Sequence, residues 1–247
     1  MVIPSPLASP PALDPMRQAL FLDLDGTLVD IVERPELTVA DADLRRDLAA
    51  LNSVFDGAVA ILSGRTLADI ERILGRNIEI VVGVHGVERR VRNEVVRNAS
   101  ADLSDVRQRL RRLVDRGALP AELEDKGHAI ALHYRASPQE EAFVRAVAAE
   151  VAAPIGLQVL HGKMVVEILP YGVTKGTALK ALLKEPQFKG RVPIVVGDDV
   201  TDEDAFEAAN EAGGYSVLVG DPRLTKATSS LANAASVRAW LRGALNP

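Results

Sequence analysis

The chain of 247 residues contains no cysteine, so disulfides, thiolate catalysis and Cys-ligated metals are excluded. Its four histidines are scattered, and a zinc centre is not expected from them. No apolar run approaches the ~20 residues that span a bilayer. The formal charge is −5 and no dense basic tract is present, although Arg107 to Arg116 is locally basic in the manner of a solvated helix face. Nucleic acid and membrane are therefore not expected partners, and the chain reads as a cytoplasmic monomer acting on a small molecule. Neither a Walker-type glycine loop nor a GxGxxG turn occurs. What remains for a metal is oxygen, and hard oxygen ligands suit magnesium or calcium.

Prolines at 4, 6, 10, 11 and 15 leave residues 1–16 unable to hold a helix or an uninterrupted apolar segment, which predicts a loose or disordered tail. Beyond it, short β-rich apolar runs alternate with helical patterns, the signature of an α/β fold with an open parallel sheet. The expected strands are 19–24, 59–62, 80–84, 193–196 and 215–219. The expected helices are 39–51, 67–74, 176–183, 204–212 and 237–245. Residues 103–170 break this alternation with an αββαββ order: helices 103–114 and 139–151, strands 122–125, 129–134, 157–160 and 164–169. They are expected to form an inserted α+β cap on a core made of 17–102 and 171–247.

In an open α/β sheet, ligands bind beyond the carboxyl ends of the strands. The first run, Ala19-Leu20-Phe21-Leu22, leads into Asp23-Leu24-Asp25-Gly26-Thr27. Two carboxylates two residues apart share a face if the strand stays extended, and a divalent cation is the usual reason for such proximity. Asp-Gly is also an ordinary turn dipeptide. The second run ends in Ser63-Gly64-Arg65, whose hydroxyl and backbone N–H groups suit phosphate oxygens, or which is simply a turn before a helix capped by Thr66. After Ile194-Val195-Val196 come Gly197-Asp198-Asp199-Val200-Thr201-Asp202-Glu203-Asp204. Thr201 with Asp204 resembles a capping box, and acids in a first helical turn complement the dipole, which leaves Asp198 and Asp199 as the pair a cation would relieve. Lys175 falls in the first turn of a helix capped by Thr174, where it opposes the dipole unless an anion lies nearby. Together these groups form a set suited to phosphoryl transfer.

The DxDGT, SGR, lysine and GDDxTD elements occur in the order of the haloacid dehalogenase superfamily of phosphohydrolases, which the sequence resembles. That resemblance implies Asp23 as nucleophile, forming an aspartyl-phosphate, and Asp25 as acid and then base. It implies magnesium held by Asp23, the backbone carbonyl of Asp25 and Asp198, with Asp199 and Asp202 as supporting or additional ligands. Thr27, Ser63, Gly64 and Lys175 would hold the phosphoryl group. Within the insertion, Glu124-Asp125-Lys126-Gly127, His133-Tyr134-Arg135 and Gly162-Lys163-Met164-Val165-Val166-Glu167-Ile168 resemble the trehalose-6-phosphate phosphatase family, as does Gly83-Val84-His85-Gly86-Val87-Glu88 in the core. The family implies Glu124, Lys126 and Glu167 as sugar contacts and trehalose 6-phosphate as substrate. His133 and Arg135 either join these contacts or instead pack or orient the cap. Two alternatives stay open: a capped phosphatase of another sugar phosphate, and a phospho-acceptor signalling module, which Asp25 and the cap disfavour.

Overall fold

The computed structural model describes residues 7–32, 34–97 and 101–245. The first strand, β1 (Gln18–Leu22), is buried along nearly its whole length without alternation, as a strand covered on both faces must be. Helix α1 (Ala42–Val54) leads to β2 (Val59–Leu62), and α2 (Leu67–Leu74) to β3 (Ile80–Gly83). A hairpin follows, β4 (Glu88–Val91) and β5 (Glu94–Arg97). The chain leaves for a second unit and returns through α5 (Lys175–Leu182), β10 (Val192–Gly197), α6 (Glu203–Glu211), β11 (Tyr215–Val219), β12 (Ser229–Leu231) and α7 (Ala234–Gly243).

These strands form an eight-stranded sheet in the order β12-β11-β10-β1-β2-β3-β4-β5. The pairs from β12 to β3 are parallel and β3–β4 is antiparallel. From β1 the chain first builds outward through β2 and β3, then returns to build on the other side through β10. The order therefore reverses between β1 and β10, the place where an open sheet leaves a crevice at its carboxyl edge. The core around it includes Leu20, Phe21 and Leu22, and Phe21 packs on Phe188 with ring centroids 4.8 Å apart.

The second unit runs from Arg97 to Val173. It contains α3 (Ser104–Asp115), β6 (Glu122–Asp125), β7 (Ile130–His133), α4 (Glu141–Ala152), β8 (Leu157–Gly162) and β9 (Val165–Pro170), the αββαββ order read from the sequence. Its antiparallel sheet has the order β6-β7-β9-β8. Ile130, Leu132, Val166 and Ile168 pack with Val106 and Leu110 of α3 and Val144 and Ala148 of α4. Residues that alternate with these belong to the other face, where Glu124, Ala131 and Glu167 stand in register across three strands. In the locally basic helix α3, Arg107 pairs with Asp125 and Arg109 with Glu150.

Three features depart from the expected layout. The β4–β5 hairpin and β12 are additional strands. The described part of the proline-rich segment is fastened rather than loose: Ser230 donates to Ala8, Trp240 Nε1 to Pro11 and Arg191 Nη1 to Pro15, at 3.0, 2.8 and 2.7 Å, and Leu7 and Leu13 pack on the core. Residues 1–6 of that expected tail lie outside the described residues. Among the described residues, no helix is long and apolar enough to cross a membrane.

Candidate active site

Strand β1 ends at Leu22, one residue before the first acid, so Asp23 and Asp25 do not continue an extended strand. Asp23 N–H still bonds the carbonyl of Val196 on β10 at 2.9 Å, which holds Asp23 at the reversal of the sheet order. Gly26 turns the chain with φ 78°, and a Cβ built there would lie 2.2 Å from Asp198 Oδ2. Only glycine satisfies both the left-handed backbone and that close approach.

Lys175 joins the site from the first turn of α5, whose Thr174 caps it by accepting from Thr177 N–H. Its Nζ donates to Asp23 Oδ1 at 2.6 Å and Asp202 Oδ1 at 2.7 Å. The three side chains are 3%, 7% and 1% exposed. The two carboxylates are the anions that reconcile a lysine with the positive end of a helix. Burial alone would lower Lys175, yet Asp202 and Asp23 outweigh it and hold the ammonium above its ordinary value. Asp23 moves up as well, well above 3.8: burial is the main cause, Asp202 and Asp198 add to it, and Lys175 opposes it.

Asp23, Asp198 and Asp202 bring one carboxylate oxygen each within 4.8 Å of one another. Three carboxylates converge beside the Lys175 ammonium, and a divalent cation would relieve the repulsion among them. The donor set, all oxygen, fits a hard cation. Asp202 is more central than the sequence suggests. The capping box closes two residues earlier than Thr201 and Asp204 would place it: Asp199 N–H donates to Asp202 Oδ2 at 3.0 Å, and Asp199 Oδ1 accepts from Val200 N–H at 2.7 Å. Asp199 is thus the cap of this turn and stands outside the carboxylate cluster.

The expected phosphate contacts come from neighbouring turns. Thr27 is fully buried, and its hydroxyl has no hydrogen-bond partner among the described residues. A buried hydroxyl left unpaired is costly unless a ligand satisfies it. Ser63 is buried, with Oγ accepting from Arg65 N–H at 3.1 Å, and Gly64 follows it; Thr66 caps α2 by accepting from Asp69 N–H. Arg65 carries a role that the triplet alone did not disclose. It grips Asp25 with Nε to Oδ2 at 2.6 Å and Nη2 to Oδ1 at 2.7 Å, and also reaches the Pro35 carbonyl and Thr38 Oγ1. A planar guanidinium matches a carboxylate in this bidentate way, so both Asp25 oxygens are engaged.

On the polar face of the second sheet, Lys126 hydrogen-bonds Glu167 and stands 4.0 Å from Glu124. His133 Nε2 lies 2.8 Å from Glu124 Oε2. Burial alone would raise Glu124, but His133 and Lys126 overcome it and draw the carboxyl below its ordinary value. The three residues implied as sugar contacts therefore form one cluster, and His133 belongs to it by orienting Glu124.

The trehalose-phosphatase family model matches residues 21–237. Trehalose-6-phosphate phosphatase of Escherichia coli K12 is 38% identical over 243 residues, covering 96% of this chain and 89% of that protein. A probable trehalose-phosphate phosphatase of Sinorhizobium fredii is 38% identical over 225 residues, covering 89% and 84%. Among solved structures, a trehalose-6-phosphate phosphatase related protein superposes with a TM-score of 0.76 at 30% identity, covering 91% of this chain and 96% of that one. The C-terminal domain of the C. albicans trehalose-6-phosphate phosphatase gives 0.80 at 28%, covering 96% and 98%. With the family model matching residues 21–237 and relatives at 38% identity over most of both chains, the chain belongs to the trehalose-phosphatase family.

Proposed function

We propose that this protein hydrolyses trehalose 6-phosphate to trehalose and phosphate, with Asp23 as nucleophile. The observation that carries the mechanism is the buried bridge from Lys175 to Asp23 and Asp202, with Asp198 alongside. Asp23 attacks phosphorus, a new carboxylate–phosphorus bond forms, and the bond to the sugar oxygen breaks. Asp25 gives a proton to that oxygen, which requires one of its own oxygens to leave the Arg65 fork. Water then attacks the phosphoaspartate, Asp25 takes its proton, and phosphate departs with Asp23 restored. Lys175, Thr27, Ser63 and Gly64 hold the phosphoryl oxygens, so charge developing there meets donors already in place. Glu124, Lys126 and Glu167 hold the sugar, with carboxylates accepting from hydroxyls and the ammonium donating to them.

Asp23, Asp198 and Asp202 would hold magnesium, whose charge would offset that of the phosphoryl group when bound. Asp199 supports them through its N–H to Asp202, and the backbone carbonyl of Asp25 completes the ligand set we assign. Magnesium is expected to raise the melting temperature of the wild-type protein at neutral pH in the absence of substrate, because it relieves the carboxylate cluster. The rise should be much smaller in Asp198→Asn. Equal rises in a thermal-shift titration would remove the cluster as the cation site.

Sugar specificity is tested separately. Lys126→Ala and Glu167→Gln should each reduce kcat/KM for trehalose 6-phosphate by about 10²-fold, the scale of losing a charged hydrogen bond to substrate. Hydrolysis of p-nitrophenyl phosphate should change little. Equal losses on both substrates, or a preference of the wild type for another sugar phosphate in a substrate panel, would overturn the assignment of the sugar and leave the phosphoryl chemistry standing.

A further inference from the structure

The segment Gly83-Val84-His85-Gly86-Val87-Glu88 has no role in the mechanism above, yet it carries concentrated backbone strain. Val84 and His85 are consecutive non-glycine residues with φ of 47° and 56°, and both are buried. The left-handed region is unfavourable for any L-residue, and a β-branched valine is a rare occupant. Strain of this kind persists only where surrounding contacts over-determine it.

Those contacts all reach one place. Ser63 N–H donates to Val82 O at 2.9 Å, His85 N–H to Ser63 O at 3.0 Å, and Val84 N–H to Arg65 O at 2.8 Å. A Cβ on Gly83 would lie 2.8 Å from the Arg65 carbonyl oxygen and 3.0 Å from Leu67 N. Glu88, 7% exposed, closes the arrangement by accepting the Leu67 N–H at 2.9 Å, a first-turn donor of α2 that has no partner within its own helix. Residues 63–67 are thus held from one side by residues 82–88, and on the other side they present Ser63 Oγ and the Arg65 fork.

We infer that Glu88 is a positioning residue for the reaction: by anchoring Leu67 N–H against the strained 83–85 turn, it sets the Ser63–Arg65 turn and, through Arg65, the placement of Asp25. This rests on the roles proposed for Ser63 and Asp25. A carboxylate suits the task because it is a strong acceptor at the positive end of a helix. Losing it leaves a buried N–H unpaired and frees the turn to shift, and a misplacement of about 1 Å costs on the order of 10²-fold in rate.

The test compares Glu88→Ala with Glu88→Gln, which keeps the length and an oxygen acceptor. Glu88→Ala should lower kcat for trehalose 6-phosphate by about 10²-fold. Single-turnover release of nitrophenolate from p-nitrophenyl phosphate should fall less, because that leaving group needs no proton from Asp25. Glu88→Gln should restore most of the loss. Equal losses on the two substrates would show that only the amount of active protein had changed, and they overturn the positioning role; so does an unchanged kcat in folded Glu88→Ala. If Glu88→Ala does not fold, Glu88→Asp decides, since it keeps the charge and withdraws the oxygens by one methylene. A larger loss on the sugar phosphate than on the nitrophenyl ester supports the role, and wild-type rates on both exclude it. Asp23→Asn is measured in parallel: if it is inactive while the Glu88 variants behave as wild type, the positioning role alone falls, whereas an active Asp23→Asn removes the proposed mechanism itself.

Discussion

Asp23→Asn is expected to give a folded protein whose turnover of trehalose 6-phosphate is lower by at least about 10³-fold, the scale on which a covalent nucleophile is lost. Folding should survive because Lys175 keeps its second partner, Asp202. The substitution also removes a buried group held well above its ordinary value of 3.8 by desolvation. Its effect on stability has a definite sign. A carboxyl whose folded value is raised contributes stability below its unfolded value, and that contribution disappears as the pH climbs through the folded value. Cation-free wild type should therefore lose stability from about pH 3.8 upward through the raised value, relative to Asp23→Asn, whose amide does not titrate. Melting curves between acid and neutral pH, with the metal chelated, measure the difference. Near-normal turnover in folded Asp23→Asn would exclude the aspartyl-phosphate, and a wild type that gains stability over the variant in that interval would refute the electrostatic reading.

Lys175→Ala should be the most damaging single change to the fold. It leaves Asp23 and Asp202 buried without their shared cation, and removing one member of a buried ion pair costs about 3–5 kcal/mol. Urea denaturation at neutral pH, with chelator present, should show a deficit of this size. The deficit should shrink as the pH falls, because protonating Asp23 removes the charge that has lost its partner. Joining Lys175→Met to Asp202→Asn should recover part of the stability and none of the turnover. The recovery follows from no longer burying an unpaired carboxylate at Asp202; the activity stays lost because the phosphoryl oxygens have lost their ammonium donor. A single variant as stable as wild type at neutral pH would mean that Lys175 does not carry the charge balance argued here.

Much of the architecture was legible locally. The strands 59–62, 122–125 and 215–219 occupy the residues expected of them, since each is a short run whose ends the flanking residues mark. The β4–β5 hairpin and β12 were less visible. Glu88–Val91 carries three charged residues, and Ser229–Leu231 is a short edge strand in which backbone pairing replaces an apolar signal. The site divides in the same way. Asp23, Ser63, Lys175 and Asp198 could be picked out because each follows or opposes a local rule: an acid after an apolar run, a hydroxyl before a helix, a lysine at the wrong end of the dipole.

The sequence by itself determined which chemical groups stand at the carboxyl ends of the strands, because hydrophobic period, capping residues and turn glycines act over a few neighbouring positions. Only the tertiary structure decided how those groups are shared out. Lys175 and Asp23 are 152 residues apart and meet because the sheet order reverses between β1 and β10. Arg65 and Asp25, 40 residues apart, meet because β1 and β2 are neighbours. The same reason separates Asp199 from Asp202: one turn of backbone gives the first to a cap and brings the second, buried, to a lysine on another helix. Charge pairing is a property of distance in space, and the local sequence does not encode it.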